Sequence, residues 1–510
     1  MAKINGYPKI SAEEAAAQIP HGAMVAFSGF TPAGAAKAVP RAIAKRAKGI
    51  HGKGEDYQIR VLTGASTGKS IDDELAEAEA ISWRAPYQSS PILRRQINGG
   101  QVEYLDMHLS HVPQNVANGF FGKLDFAVIE ATEVTPDGRV FLTTSIGSSP
   151  IFLKHAEKVI IEINSYHAMR LREIADIATM APPSTQRSPI PIFTPLVRIG
   201  QSYAGVDPRK IIGIVENQEP DLIAPFEPPS RVSKKIAEHI TRFLLEEIRA
   251  GRLPKELLPV EAGIGDIGNG VISTLGGNEE ISPFKMYTEV LLDALVPLME
   301  KERVLGVSAT ALNVAPETLQ RIYENMDFFA SRIVLRSQEF SNHPGIIRRL
   351  GVIAMNTALE VDLYGNTNST HICGTDLVNG IGGSMDFSRN SYISFIMCPS
   401  ISKGGKISNI VPMCPHVDNT EHSVSIIVTD QGLADMRRIG PAERAKTIIE
   451  KCAHPAYRPY LYQYLEKSRK GHLRHNLGQC FELHRNLQQY GAMLPDLKIS
   501  EETESAPPRL

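Results

Sequence analysis

Short apolar, β-branched runs alternate with stretches of helical periodicity along most of the chain. MVAFSGF (24–30) is apolar throughout until it stops at a Ser-Gly turn, the pattern of a strand buried on both faces. Pro32 then opens an Ala/Lys/Arg-rich helix predicted to run to Lys48, bent or split at Pro40. IRVLTGAS (59–66) repeats the strand and glycine turn before an acidic helix over 71–80, and LDFAVIEATEV and KVIIEIN continue the alternation. The pattern predicts an α/β fold with open, largely parallel sheets.

QEPDLIAPFEPPS (218–230) carries four prolines and is expected to be an extended crossing between domains. Beyond it, Ser230 is placed to cap a long amphipathic helix ending near Ala250. The second half then opens as the first did, with an apolar strand, a glycine turn and a helix. DFAVIEATEVTPDGRVF followed by SIGSSP also resembles LEVDLYGNTNSTH followed by NGIGGS in its order of strand, turn, strand and glycine loop. This predicts a weak internal duplication: two similar α/β domains, 1–225 and 226–510, facing each other across a cleft.

The stretch 259–289, PVEAGIGDIGNGVISTLGGNEEISPFKMYTE, is the most informative. A strand ends in a glycine-rich turn, a glycine-weakened helix follows, and a second strand, FKMY, delivers Glu289 to a strand's carboxyl end just as a helix begins. Such a carboxylate points into the crevice where open α/β sheets bind ligands. Three readings compete. Gly263, Gly265 and Gly268 form a G-x-G-x-x-G with an acid some twenty residues on, the dinucleotide fingerprint. Alternatively, the glycines admit the pantetheine arm of a thioester and Glu289 is a nucleophile. The plainest reading is a tight turn and an acid at a helix start.

Other loops carry candidate chemistry. Asn342 is either a helix cap or an amide aimed at the cleft. NGIGGS (379–384) has the glycine density of an anion-binding nest, and KGGK (403–406) adds two cations on a loop. TTSIGSSP (143–150) has a small-residue turn at a helix start. His108 and His111 have metal-like spacing but sit among apolar residues, and Cys414, His416, Asp418 and His422 lack a second cysteine at useful spacing. Both groups read as structural.

At 510 residues the chain is long enough for two domains, and a net charge of −2 gives no general attraction for nucleic acid or anionic lipid. Five cysteines without a repeated C-x-x-C suit a reducing cytoplasm, and neither a signal peptide nor a membrane span is expected. ETESAPPRL (502–510) reads as a disordered tail.

GIGDIGNGV, MYTEV, EFSNHP, NGIGGSMDFSRN, PSISKGGKISNIVPMCPHVD and IIVTDQGLADMR together resemble the acetyl-CoA hydrolase/transferase family of class I CoA-transferases, and most nearly its succinyl-CoA:acetate CoA-transferases. The likeness extends from SGFTPAG through DMHLSH to the last long helix. It implies two CoA-transferase-like α/β domains in a homodimer, acting on acyl-CoA and small carboxylates such as acetate and succinate. Coenzyme A would be substrate and covalent intermediate, with no tightly bound cofactor and no metal. By resemblance Glu289 is the nucleophile, and the Asn342 side chain and the Gly383 N–H stabilise the oxyanion. CoA contacts fall on Ile264, Gly265, Asp266, Ile267, Gly268, Asn379, Gly383 and Lys403. The chain departs from the pattern at Met385, where glycine is frequent, and at Asp430, where glutamate is usual. The remaining activities are an acetyl-CoA hydrolase and, more remotely, a dinucleotide-dependent oxidoreductase.

Overall fold

The computed structural model describes residues 2–182, 187–223 and 228–497, and its core is two nine-stranded sheets. Met24–Phe27, buried at every position, lies in the middle of the first sheet between Ile59–Leu62 and Phe126–Val134, parallel to both. From this strand the chain winds outward through Ile59–Leu62, Ile81–Ala85 and Glu103–Tyr104. It then returns to the other flank with Phe126–Val134, Lys158–Asn164 and Ile211–Asn217.

The second sheet repeats this winding. Val260–Ala262 is central, Phe284–Tyr287, Val304–Ala309 and Ile333–Arg336 lead outward, and Ile353–Thr357, Ile393–Met397 and Ile426–Thr429 fill the other side. The duplication expected from the sequence is therefore visible as strand order. Parallel strands covered on both faces need apolar residues at successive positions, which is why these runs show little alternation. Antiparallel pairing occurs where Arg139–Leu142 joins the first sheet and Gly432–Asp435 the second.

Ser230 caps the helix Arg231–Arg249 as expected, accepting from the Ser233 N–H at 3.1 Å. Ile236, Ile240 and Leu244 on this helix are buried, each contributing about 2 kcal/mol by removal from water. Against it packs the helix Asp266–Gly277, which corrects the expectation of a weak helix: it runs unbroken for 12 residues. A Cβ on Gly270 would meet Ser233 Cβ at 3.2 Å, so the glycine permits close approach. The buried Val271, Ile272 and Leu275 offset the propensity cost.

The helix predicted to start at Pro32 starts instead at Ala38 and ends at His51. Glu162, from a neighbouring strand, accepts the N–H groups of Lys37 at 2.7 Å, Ala38 at 2.9 Å and Val39 at 3.1 Å. A tertiary carboxylate sets this helix start, which no local signal announces. Pro40 falls in the first turn, where its missing N–H costs nothing, and the helix is not split there.

The crossing at 218–230 is more than a tether. Asp221 is buried and accepts from Lys37 Nζ at 3.0 Å, beside the Lys37 to Glu130 pair at 2.6 Å. Residues 224–227 of the crossing and the tail 502–510 lie outside the described residues. The five cysteines are free thiols, and no helix among the described residues is long and apolar enough to cross a membrane.

Candidate active site

Glu289 sits one residue beyond a continued strand ladder. The Thr288 N–H donates to Ser308 O at 2.9 Å, and Glu289 O accepts from the Thr310 N–H at 2.8 Å, so its backbone is held on both sides. A helix does not follow at once, which corrects the sequence reading. Val290–Leu292, buried throughout, forms a second short strand against Ala311–Asn313, and the helix begins only at Leu295. The edge of Ala311–Asn313 satisfies the backbone groups that a helix would otherwise have used.

Asn342 is not an N-cap. It ends the short helix Gln338–Ser341, while His343 caps Pro344–Leu350, which leaves the buried Asn342 amide to face Glu289. Its Nδ2 donates to Glu289 Oε1 at 2.5 Å, and Ser341 Oγ donates to its Oδ1 at 3.0 Å, fixing the orientation of the amide. Gly383 closes the other side. A Cβ there would lie 1.6 Å from Glu289 Oε1 and 2.6 Å from Asn342 Nδ2, so no side chain fits. Glu289, Asn342 and Gly383 thus meet at one point, brought from three separate parts of the second half.

Three carboxyl groups share this region without a cation. Burial pushes Glu289 up to about 7, assisted by nearby Asp386 and opposed by the Asn342 hydrogen bond. Burial also pushes Asp386 up to about 7, against the hydrogen bonds it accepts from Ser110 and Asn342. Glu261 is raised well above its ordinary range by burial and then by Glu289. No Lys or Arg pairs with Glu289 among the described residues. A partly protonated, poorly solvated carboxylate held by an amide is a stronger base and nucleophile than a free one.

The other predicted residues fall into three places. Ile264, Gly265, Asp266, Ile267 and Gly268 form the turn and first helical residues after Val260–Ala262; Gly265 has φ 127°, and a Cβ on Gly268 would lie 2.0 Å from Gly263 O. Ile264 is half exposed, whereas the Asp266 carboxylate is engaged by the Ser230 N–H at 3.0 Å and by Ser233 Oγ. Asn379 is in the loop that ends at Gly383, and its Oδ1 accepts from the Gly380 N–H at 2.7 Å. Lys403 is exposed at the tip of the hairpin Ile401–Ser402 with Ile407–Ser408, and no hydrogen bond or ion pair joins it to Glu289, Asn342 or Gly383 among the described residues. At one departure from the family pattern, Asp430 accepts from the Ser400 N–H at 2.6 Å.

Sequence reasoning missed Asp386, Tyr87, Asp106 and Ser110. Tyr87 is pushed up to about 12 by burial, bonds the Asn379 side chain and feels the Glu289 charge. All four come from segments whose local pattern is that of ordinary loops or turns, though three lie in or beside motifs that carried the resemblance, DMHLSH and NGIGGSMDF.

The His108 and His111 rings stack edge to face at 5.2 Å, and His416 bonds Asp418 at 3.0 Å while Cys414 faces backbone carbonyls. Among the described residues only Glu130, His167 and Asp221 converge as a metal-type ligand set. Lys37 Nζ donates to both carboxylates of this set as the counter-charge.

The duplicated halves are not chemically equivalent. Ile59–Leu62 and Phe284–Tyr287 hold the same place in their sheets, and Thr63 and Thr288 extend both ladders with N–H bonds to Ala85 O and Ser308 O. The next residue is Gly64 in one half and Glu289 in the other. Gly64 O accepts from Gln338 Nε2 at 2.9 Å, so the counterpart of the glutamate serves to join the halves.

Comparison with known proteins shows an enzyme of the CoA-transferase class. The chain belongs to the acetyl-CoA hydrolase/transferase family: the N-terminal domain profile matches residues 1–216 and the C-terminal domain profile residues 319–465. It is 52% identical over 488 residues to the propanoyl-CoA:succinate CoA transferase of Escherichia coli strain K12, covering 96% of this chain and 99% of that one. It is 42% identical to the succinyl-CoA:acetate CoA-transferase of Clostridium kluyveri (95% and 90% covered) and 40% identical to an acetyl-CoA hydrolase of Schizosaccharomyces pombe (93% and 94% covered). The fold also matches RipA from Yersinia pestis, with TM-score 0.69 at 23% identity, covering 90% of this chain and 97% of that one.

Proposed function

We propose that this protein is an acyl-CoA:carboxylate CoA-transferase, moving coenzyme A between short-chain acids such as succinate and acetate through covalent intermediates on Glu289. The observation that carries the reading is the contact of the Glu289 carboxylate with the Asn342 amide at 2.5 Å and with a Gly383 backbone too close for any side chain.

In the first step a Glu289 oxygen attacks the thioester carbonyl carbon, and collapse of the adduct breaks the C–S bond, releasing CoA thiolate and forming an acyl-glutamyl anhydride. The thiolate then attacks the glutamyl carbonyl, the acyl group departs as a free carboxylate, and a glutamyl-CoA thioester remains. An acceptor carboxylate runs the same steps in reverse. Each addition places negative charge on an oxygen, and the Asn342 N–H and the Gly383 N–H are the donors for it. Asn342 already holds the resting carboxylate, so little reorganisation is needed as charge moves to the adduct. The turn at Ile264 to Gly268, with Asn379, Gly383 and Lys403, is the CoA-binding surface. Asp266 contributes through its backbone, because its carboxylate is spent on Ser230 and Ser233.

The reading includes two domains divided near residue 225, a homodimer and a cytoplasmic location. A second reading, acetyl-CoA hydrolase, is supported by the name of the Schizosaccharomyces pombe relative at 40% identity; the two differ in whether acid or water resolves the thioester. The deciding experiment is mass spectrometry of protein incubated with acyl-CoA and no acceptor. A CoA adduct on the peptide containing Glu289, absent from Glu289→Ala, is expected; an unmodified Glu289 peptide in active protein removes Glu289 from the nucleophile role.

A further inference from the structure

The loop that brings Gly383 to Glu289 has little secondary structure of its own, running from the two-residue strand Asp376–Leu377 to the short helix Ser384–Ser388. Its position is set largely by one segment of the other half of the chain. Tyr104 Oη donates to Asn379 O at 2.7 Å, and the Asp106 carboxylate accepts the Ile381 N–H at 2.9 and 3.1 Å. The Leu109 N–H donates to Gly382 O at 3.3 Å. Ser110 donates from its N–H and Oγ to Asp386 at 3.0 and 2.6 Å, and Asp386 in turn lies beside the Asn342 amide. One short segment therefore reaches both sides of the carboxylate's cradle: the glycine loop directly, and Asn342 through Asp386.

Within that segment Asp106 stands out. It is half buried and has no ion-pair partner among the described residues, yet both its oxygens point at one backbone N–H. An unpaired carboxylate in such a place lowers stability, and an amide would fill the space at less cost. What the charge adds is a stronger bond, roughly twice as strong as a neutral one. A Cβ on Gly380 would lie 2.8 Å from Asp106 Oδ1, so loop and carboxylate are packed without slack.

We propose that Asp106 is a positioning residue for acyl transfer: by holding the Ile381 N–H it places the Gly382 and Gly383 backbone against Glu289 at the distance the oxyanion requires. The inference rests on the reading of Gly383 as an oxyanion donor. A positioning role predicts a loss mainly in turnover, because a misplacement of about 1 Å costs ~10²-fold in rate while the turn at Ile264 to Gly268 and Lys403 continue to bind CoA.

The test compares Asp106→Ala and Asp106→Asn with the parent protein, using acetyl-CoA and succinate. Asp106→Ala should lower kcat by about 30- to 100-fold with KM for the CoA thioester within about threefold, at a thermal midpoint no lower than the parent's. Asp106→Asn, which keeps an acceptor oxygen but not the charge, should recover to about three- to tenfold below the parent. A folded Asp106→Ala with normal kcat, a loss expressed only in KM, or an Asn variant no better than Ala would overturn the proposal. If Asp106→Ala fails to fold, Asp106→Asn decides alone, and parental turnover in it has the same force. Glu289→Ala run in parallel separates the two claims: its retaining activity undoes the reading of the site, whereas an inactive Glu289→Ala beside a normal Asp106→Ala undoes only the role of Asp106.

Discussion

Asp386 Oδ2 lies 3.3 Å from Asn342 Nδ2, the same nitrogen that donates to Glu289 at 2.5 Å. One amide therefore faces two carboxyl groups, each pushed up to about 7 by burial. Because the attacking group must be ionised, kcat/KM for an acyl-CoA should rise through about pH 7 and level off above it. Asp386→Asn removes the like charge and should move that midpoint down by roughly 0.5–1 unit, since nearby negative charge favours the protonated form. A pH–rate profile with an unmoved midpoint would detach Asp386 from the chemistry.

The two proposed donors can be tested separately, Asn342 by removal and the Gly383 N–H by displacement. Asn342→Ala should reduce kcat by about 10²–10³, the usual cost of one oxyanion donor, in a protein whose unfolding transition is nearly unchanged. Gly383→Ala should be at least as damaging, because its Cβ would lie 1.6 Å from Glu289 Oε1 and the loop must shift. Steady-state kinetics beside calorimetry tests both; parental turnover in either folded variant counts against that donor.

The parallel strands themselves were legible because strands covered on two faces write themselves as apolar runs, and MVAF, IRVL and FKMY all formed where the pattern put them. The start of the Ala38–His51 helix was not, because it is fixed by Glu162 more than a hundred residues away. The same holds in the site. Glu289 could be singled out by its place at a strand end, and Asn342 and the 379–384 glycines could be suspected. Asp106, Ser110 and Asp386 could not, because their roles exist only once the two halves meet.

The buried site also leaves a mark on stability. Glu289 holds its proton up to about 7 when folded and only to about 4.5 in its ordinary state, so between these values the native protein binds more protons than the unfolded chain. Stability contributed by this group is therefore complete at low pH and falls as pH rises across that window. Glu289→Gln stays neutral and should be more stable than the parent by about 2–3 kcal/mol at pH 8, with almost no difference at pH 4. Thermal or urea unfolding at the two pH values measures this; equal stability at pH 8 would mean that the carboxylate is better solvated than its burial indicates.

Far from the chemistry, Lys37 supplies a buried counter-charge to Glu130 at 2.6 Å and to Asp221 at 3.0 Å. Burial alone would lower His167, but Asp221 and Glu130 outweigh it and hold the imidazole at about 9, so it shares the task. Lys37→Met leaves more negative than positive charge in a closed space and should cost about 3–5 kcal/mol, because breaking a buried pair strands its partners. Urea denaturation gives the value directly; a loss below about 1 kcal/mol would show that water reaches the cluster.

Transferase and hydrolase differ in what discharges Glu289. An anhydride facing a thiolate in a closed site reacts back at once, since effective concentrations there reach ~10⁵ M or more in well-oriented cases, so the glutamyl-CoA thioester is the species expected to persist. Acetyl-CoA alone should therefore load Glu289 and stall. Borohydride added at the stall should inactivate the protein by reducing the thioester, and hydroxylamine should leave a hydroxamate on Glu289. Acetate or succinate added instead should discharge the thioester rapidly. Protection of such a thioester would come from the apolar cluster of Phe30, Ala65, Leu109, Val290 and Ala311, with Tyr87 packed against it, which begins at the residue after Glu289. Rapid-quench measurement of free CoA release with and without added acid compares the two routes. Transfer requires the acid-dependent rate to exceed the water-dependent one by orders of magnitude, and equal rates would make this protein a hydrolase.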